Sequence, residues 1–452
     1  MTRTPRPSET STPNVCLVTS VRNEAVHLLE WIAYHRMIGI RHFLIFSNDC
    51  DDGTDELLGL LQRTGLVTHV PQEILPGEKP QEKAFRRAWQ EFLPAIKPDY
   101  VFVADPDEFL NLKCFDTLKD LLAYYDYPLA LAIQWRHFGS SGLFFRDTRP
   151  TIERFQRASV SDNFHNRQFK TLCRYDCSQI KALTAHRPVL NQSSFKGRYI
   201  LPGVCRAGVV LPQAVREGAN AKFIAGGFPV MHSMAQINHY ATRSVEEFHI
   251  KRNRGNGLLS NAVKAALHYK DDYFIEHDLN ELEEPSIVRR LPELKQAQAE
   301  LLDTLQSGAL LAWMERRFAD KVQAVPISDS VQTREDYTLI PDGVWTNAAV
   351  HPVVCLDTLP ARLSDGETFR FSGQLSRPHG QHPLSGLHLV SSDGQSLQAA
   401  LEVQTDTFAF RFEQATVERG ETLCLTARFA DDTVRTVARL LVHGTTPTCP
   451  IQ

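Results

Sequence analysis

Val15 to Ser20 is a short, β-branched apolar run, the pattern of a buried strand. Leu28, Leu29, Ile32, Ala33 and Met37 then recur at helical spacing, and Gly39 stops the helix. His42 to Phe46 predicts a second strand, followed by the polar loop Ser47 to Gly53. Asp52 and Thr54 both suit the N-cap of a helix over Asp55 to Arg63. Leu66 to Val70 is a third strand, Gln81 to Phe92 a helix, and Tyr100 to Ala104 a fourth strand running directly into Asp105-Pro106-Asp107-Glu108-Phe109-Leu110. Strands alternating with helices imply a mostly parallel, buried sheet, which binds ligands outside the carboxyl ends of its strands. The Asp-rich loops after the second and fourth strands lie at that edge.

Beyond Leu131 the pattern is mixed, with a long irregular stretch that suits an acceptor face or lid. Helical spacing returns from Ser244 to about Arg317, and Val322 to Asp336 reads as a linker. Phe369 to Gln374, Leu387 to Ser391, Leu397 to Val403, Phe408 to Phe412, Thr422 to Phe429 and Val434 to Val442 are short strands between polar turns, the signature of a separate β-sandwich.

Composition narrows the classes. The 452 residues carry 42% hydrophobic and 23% charged side chains, ordinary for a globular protein with room for two or three domains. A net charge of −4 gives no global basic field to recruit nucleic acid. No apolar run reaches the length of a membrane span, and Met1 to Asn14 reads as a disordered leader without a signal-peptide core. Nine scattered cysteines fit free thiols in a reducing cytoplasm better than a zinc site. The expectation is a cytoplasmic protein, with peripheral attachment to the inner membrane face as an option.

The chemistry concentrates at Asp105-Pro106-Asp107. Hard divalent cations take one or two carboxylates plus phosphate oxygens, and can neutralise a diphosphate leaving group. Pro106 stiffens the turn, and Glu108 adds a third acid. A solvated turn is the alternative. Arg243, Lys251, Arg252 and Arg254 suit a clamp on a departing diphosphate or a solvated basic face, and Gly255 and Gly257 a lid hinge. Trp135 and Phe138 suit stacking on an acceptor sugar.

Several segments, in order, resemble the family 2-related glycosyltransferases of GT-A fold, especially a bacterial branch with an Asp-x-Asp-Glu-Phe-Leu signature. They are Val18 to Glu24, Glu30 to His35, Asn48 to Thr54, Asp105 to Leu110, Trp135 to Gly142 and Asn238-His239-Tyr240 with Arg243-Ser244 and Glu247-Phe248. The likeness covers roughly residues 15 to 260; Cys50-Asp51 stands where Ser-Thr or Ser-Ser is usual. It implies an α/β fold: a Rossmann-like, mostly parallel sheet flanked by helices over 15–320 (nucleotide half 15–130, acceptor and lid half 131–320). A linker at 321–336 and an all-β, sandwich-like domain at 337–452 follow, for which no family likeness is evident.

The resemblance implies a metal-dependent, inverting hexosyltransferase that moves sugar from a nucleoside diphosphate-sugar to an acceptor glycan or glycoconjugate, as in polysaccharide biosynthesis. Thr19, Arg22, Glu24 and Asp52 would contact the nucleoside, although Glu24 and Asp52 also suit helix capping. Asp105 would face ribose or metal, Asp107 would be the main ligand of Mn2+ or Mg2+, and His239 a third contact. Lys83, with Gln81, lies where related enzymes touch the nucleotide, and a solvated helix face fits it equally. The base that inversion needs falls among Glu246, Glu247, Asp162 and Glu153. Two other classes share the features: a nucleotidyltransferase on the same sheet, and a non-catalytic carbohydrate-binding protein working through its β domain. That domain could equally serve homo-oligomer formation.

Overall fold

The computed structural model describes residues 12–191, 195–211, 230–254 and 271–324, and beyond these only the strands between residues 337 and 441. Most of the leader, the Gly255 and Gly257 hinge and most of the linker lie outside the described residues. The chain divides into two compact units, Met1–Ser140 with Asp147–Ile327, and Ser141–Arg146 with Ser328–Gln452.

The first unit is built on one ten-stranded sheet. Its strands are β1 (Val15–Val21), β2 (His42–Ser47), β3 (Val67–Pro71), β4 (Tyr100–Val103), β5 (Glu108–Asn111), β6 (Ala130–His137), β7 (Phe169–Arg174), β8 (Tyr199–Leu201), β9 (Val209–Val210) and β10 (Gln236–His239). The order is β9-β8-β6-β7-β4-β1-β2-β3, with β10 joining β6 to β5. β4, β1, β2 and β3 are parallel, whereas β7 runs antiparallel between β4 and β6. The mostly parallel sheet flanked by helices agrees with the sequence expectation. The central strands are buried along their length, so they read as continuous apolar runs without alternation.

Helix α1 (Ala25–Met37) is buried on nearly every side, and Gly39 follows it at φ 113°, a backbone region open to glycine. Helix α2 (Thr54–Arg63) begins after Gly53 at φ 100°, so neither Asp52 nor Thr54 is its N-cap. Helix α3 (Pro80–Arg87) passes into a π turn, Ala88–Phe92, and a last turn, Leu93–Ile96. Helices α4 (Leu118–Tyr124), α5 (Val245–Arg254), α6 (Asp271–His277), α7 (Leu291–Leu305) and α8 (Gly308–Ala324) also belong to this unit. No helix among the described residues is long and apolar enough to cross a membrane.

The second unit contains two four-stranded antiparallel sheets. Its strands at Thr368–Ser376, Leu384–Val390, Ser396–Gln398, Ala400–Val403, Thr407–Thr416, Thr422–Phe429 and Val434–Leu441 overlap the segments expected from sequence.

Candidate functional site

The carboxyl edge of the parallel strands gathers the acidic loop. β4 ends at Val103, and the chain turns through Asp105-Pro106-Asp107 into β5, a strand that the sequence pattern did not predict. Helix α1 fixes β5 by side-chain hydrogen bonds. Trp31 Nε1 donates to Glu108 O at 2.8 Å, Tyr34 OH donates to Leu110 O at 3.0 Å, and Leu110 N donates to His35 Nε2 at 3.4 Å. His35 Nδ1 lies 2.9 Å from Trp31 O, so its proton sits there and Nε2 is free to accept. Burial pushes the His35 pKa down to about 4, which keeps that neutral form.

Register places the next groups. Glu108 on β5 lies opposite His239 on β10, and His239 lies beside His137 on β6. Cross-strand neighbours on one face stand roughly 5 Å apart, so three polar side chains form a row. Asp107, Glu108 and His239 each offer a ligand atom within 4.8 Å of the others, the arrangement of a cation site. His239 Nδ1 and Glu108 Oε1 are buried without a hydrogen-bond partner among the described residues. Trp135 packs against His239 with ring centroids 4.3 Å apart and the planes tilted by 41°. Asp105 stands beside this trio, accepting from Gln81 Nε2 at 3.1 Å and Lys170 Nζ at 2.8 Å.

Two lysines balance the acids. Lys170, from the amino end of antiparallel β7, is fully buried and also lies 3.2 Å from Glu108 Oε2. Lys251 Nζ donates to Asp107 Oδ2 at 2.6 Å and to Ala241 O at 2.8 Å. Burial would raise the Asp107 pKa, but Lys251, with His239 when charged and Arg243, holds it well below the usual carboxylate range. Burial keeps His239 neutral, with a pKa near 3 despite Asp107. Burial also raises Glu108 well above the ordinary range, against the pull of Lys170.

Among the expected nucleotide residues, Glu24, Asp52, Arg243, Lys251 and Arg254 line one pocket together with Asn23 and with Met314, Phe318 and Lys321 of α8. Arg254 ion-pairs with Glu24 and donates to the carbonyls of Arg22 and Asn23 at 2.8 Å each. Arg243 Nη2 donates to Pro106 O at 3.0 Å, tying α5's approach to the acidic turn. Asp52 has a framework role: its oxygens accept from Ala25 N, Thr54 N and Thr54 Oγ1 at 3.0, 3.0 and 2.7 Å. Thr19 is buried in β1, its hydroxyl without a partner among the described residues.

Other expected residues fall elsewhere. Lys83 turns away from the acids to pair with Glu78 at 2.6 Å, and Gln81 is the residue of α3 that reaches Asp105. Phe138 is fully buried against Tyr240, a core side chain. Glu247 is locked by Arg154, whose Nη1 and Nη2 donate at 2.7 and 2.9 Å, and by Ser244 Oγ at 2.6 Å. Glu246 is half-buried on the same helix. Sequence reasoning missed Lys170, Arg154 and His137. A lone lysine between Phe169 and Leu172 in an otherwise buried strand was the available signal for the first.

Residues 14–200 match the family model described as Glycosyltransferase family 92. A glycosyltransferase family 92 protein of Oryza sativa subsp. japonica is 33% identical over 112 residues, 25% of this chain and 18% of its own length. One of Arabidopsis thaliana is 30% identical over 144 residues, 28% of this chain and 24% of its own length. The chain thus spans about a quarter or less of these relatives. Among solved structures, S. aureus TarS superposes at 12% identity and a TM-score of 0.27, over 95% of this chain and 77% of its own. The mannosyltransferase PcManGT from Pyrobaculum calidifontis, in complex with GDP-Man and Mn2+, superposes at 13% identity and a TM-score of 0.26, over 72% and 81%. The motifs resembled family 2-related bacterial enzymes; the matching model is that of family 92, and the two relatives are plant proteins. The match takes in the acidic loop and Lys170 and stops before His239, Arg243 and Lys251.

Proposed function

We propose that the chain transfers a sugar from a nucleoside diphosphate-sugar to an acceptor glycan or glycoconjugate, with inversion, assisted by Mn2+ or Mg2+. The observation that carries the reading is the convergence of Asp107, Glu108 and His239 at the carboxyl edge of the sheet. The family 92 match over the strands beneath it supports the same class.

The donor set fits a divalent cation. It offers an ionised carboxylate and a neutral imidazole, and His239 Nδ1 and Glu108 Oε1 are buried polar atoms without partners among the described residues. Asp107 and His239 would hold the ion, and imidazole favours Mn2+ over Mg2+. Bound there, it would neutralise charge on the departing diphosphate. Lys251 is ion-paired to Asp107 and Arg243 is bonded to Pro106 O, so both cations stand next to where a diphosphate would lie. Lys170 orients Asp105 and Glu108. Arg254 and Glu24 fix the loop after β1, where the nucleoside would sit. Glu247, through Arg154 and Ser244, holds α5 in place, and Trp135 offers a ring beside the acids for a sugar face.

The test is a panel of nucleotide sugars with Mn2+ or Mg2+, reading nucleoside diphosphate and pyrophosphate separately. Release of nucleoside diphosphate with a sugar-extended acceptor supports the reading. Pyrophosphate release would assign a nucleotidyltransferase instead. Sugar binding without turnover would assign a carbohydrate-binding protein.

A further inference from the structure

Alternation along β6 turns Arg136 to the face opposite Trp135 and His137. There it meets an open depression of about 590 Å³ lined by Lys113, Ser161, His232, Ser233 and Glu284 among others, a volume ordinary for a small-molecule site. Arg136 is only 6% exposed, yet its sole hydrogen-bond neighbour among the described residues is His232 Nδ1 at 3.4 Å, and its Nε has none.

His232 does not neutralise it. His232 Nε2 lies 2.8 Å from Trp135 O, so the proton sits there and Nδ1 presents a lone pair to Arg136 and to Ser161 Oγ at 3.5 Å. Burial pushes His232 down to about 4, which keeps it uncharged. Glu284 and Glu281 act on Arg136 through space, and neither hydrogen-bonds to it. Glu284 accepts from Lys113 Nζ at 2.9 Å, Gln236 Nε2 at 3.1 Å and Ser286 N at 3.2 Å. Glu283 faces Arg157 at 3.8 Å and is 60% exposed at its side chain. A guanidinium this buried, with no carboxylate in hydrogen-bond contact among the described residues, is costly unless something else meets it.

We propose that the Arg136 depression binds the carboxylate group of an acidic ligand. The planar fork of arginine matches a carboxylate in a bidentate pair. Glu284 pairs with Lys113, and Glu284 and Glu281 both act on Arg136, so a phosphate dianion meets more repulsion there than a monoanion. The serine hydroxyls and His232 supply further polar contacts. This site is separate from the Asp107 cluster, and its test reads binding directly without reference to turnover.

The full chain is titrated calorimetrically with sodium glucuronate, glucose and inorganic phosphate. Saturable binding of glucuronate, with glucose and phosphate at least about tenfold weaker, is expected from one charge-assisted pair. Arg136→Gln should abolish it, and Lys113→Gln, a more exposed change that leaves the arginine in place, should weaken it several-fold. Arg136→Lys, if Arg136→Gln fails to fold, should retain weaker binding because the fork is lost. Equal binding of glucose and glucuronate, tighter binding of phosphate, or full binding by either Arg136 variant overturns the proposal.

Discussion

Replacing Lys170 with Met removes a cation that bridges Asp105 and Glu108. The lysine is fully buried, with Nζ at 2.8 Å from Asp105 Oδ2 and 3.2 Å from Glu108 Oε2. Met keeps most of the volume, so the loss is electrostatic. Breaking a buried pair on one side costs about 3–5 kcal/mol, because the remaining charge is uncompensated. At about 2–4 °C per kcal/mol for a domain of this size, the melting temperature should fall by roughly 6–20 °C. The melting is followed by circular dichroism in the presence of chelator, so that no added cation replaces the lysine. The deficit should also depend on pH. Glu108 has a raised pKa when folded, so the folded state holds its proton more tightly. Stability from that group is full below the unfolded pKa of about 4.3 and declines as pH rises toward the folded value. Without Lys170 the decline steepens, and the gap between variant and parent should be smallest near pH 4–5 and widen toward pH 8. A shift under about 2 °C, or a gap that does not change with pH, would refute the reasoning.

Other substitutions probe the frame around the site. Arg154→Ala strands buried Glu247 and should cost about 3–5 kcal/mol in urea unfolding, and adding Glu247→Gln should recover part of it. Tyr34→Phe leaves Leu110 O without its donor and should cost about 1–2 kcal/mol, read by the same urea midpoint. Gly53→Ala meets both φ 100° and a Cβ only 2.7 Å from Met314 Cγ and from Trp313 Cζ3. It should destabilise by about 1–3 kcal/mol and raise hydrogen exchange in α8, whereas an unchanged exchange pattern would contradict the packing.

The parallel core was legible because β1, β2 and β4 are mostly apolar runs of near-standard length, and β3 carries Val67 and Val70 between turns. β5 was not, since four residues that begin with Glu108 and end with Asn111 carry no apolar run. β7 and β10 were hidden by Lys170, Thr171, Gln236 and Asn238, polar residues that their buried positions satisfy through tertiary partners. The same distinction runs through the site. Asp105 and Asp107 are neighbours in sequence, and position after a strand marks them. Lys170 meets Asp105 across 65 residues and Arg154 meets Glu247 across 93, pairings set by topology and by no local period. Asp52 looked like a cap for α2, yet Gly53 takes that position in a left-handed backbone, and Asp52 instead ties Ala25 at the start of α1 to Thr54.

The central claim rests on Asp107. Chelator-treated protein is assayed for nucleoside diphosphate release from a nucleotide sugar before and after Mn2+ is restored, alongside Asp107→Asn of matched thermal stability. The account predicts release only after Mn2+ is restored, and a loss of about 100-fold or more in the variant, the scale of several kcal/mol in the barrier. Metal-independent release, or an Asp107→Asn protein as active as its parent, would contradict it.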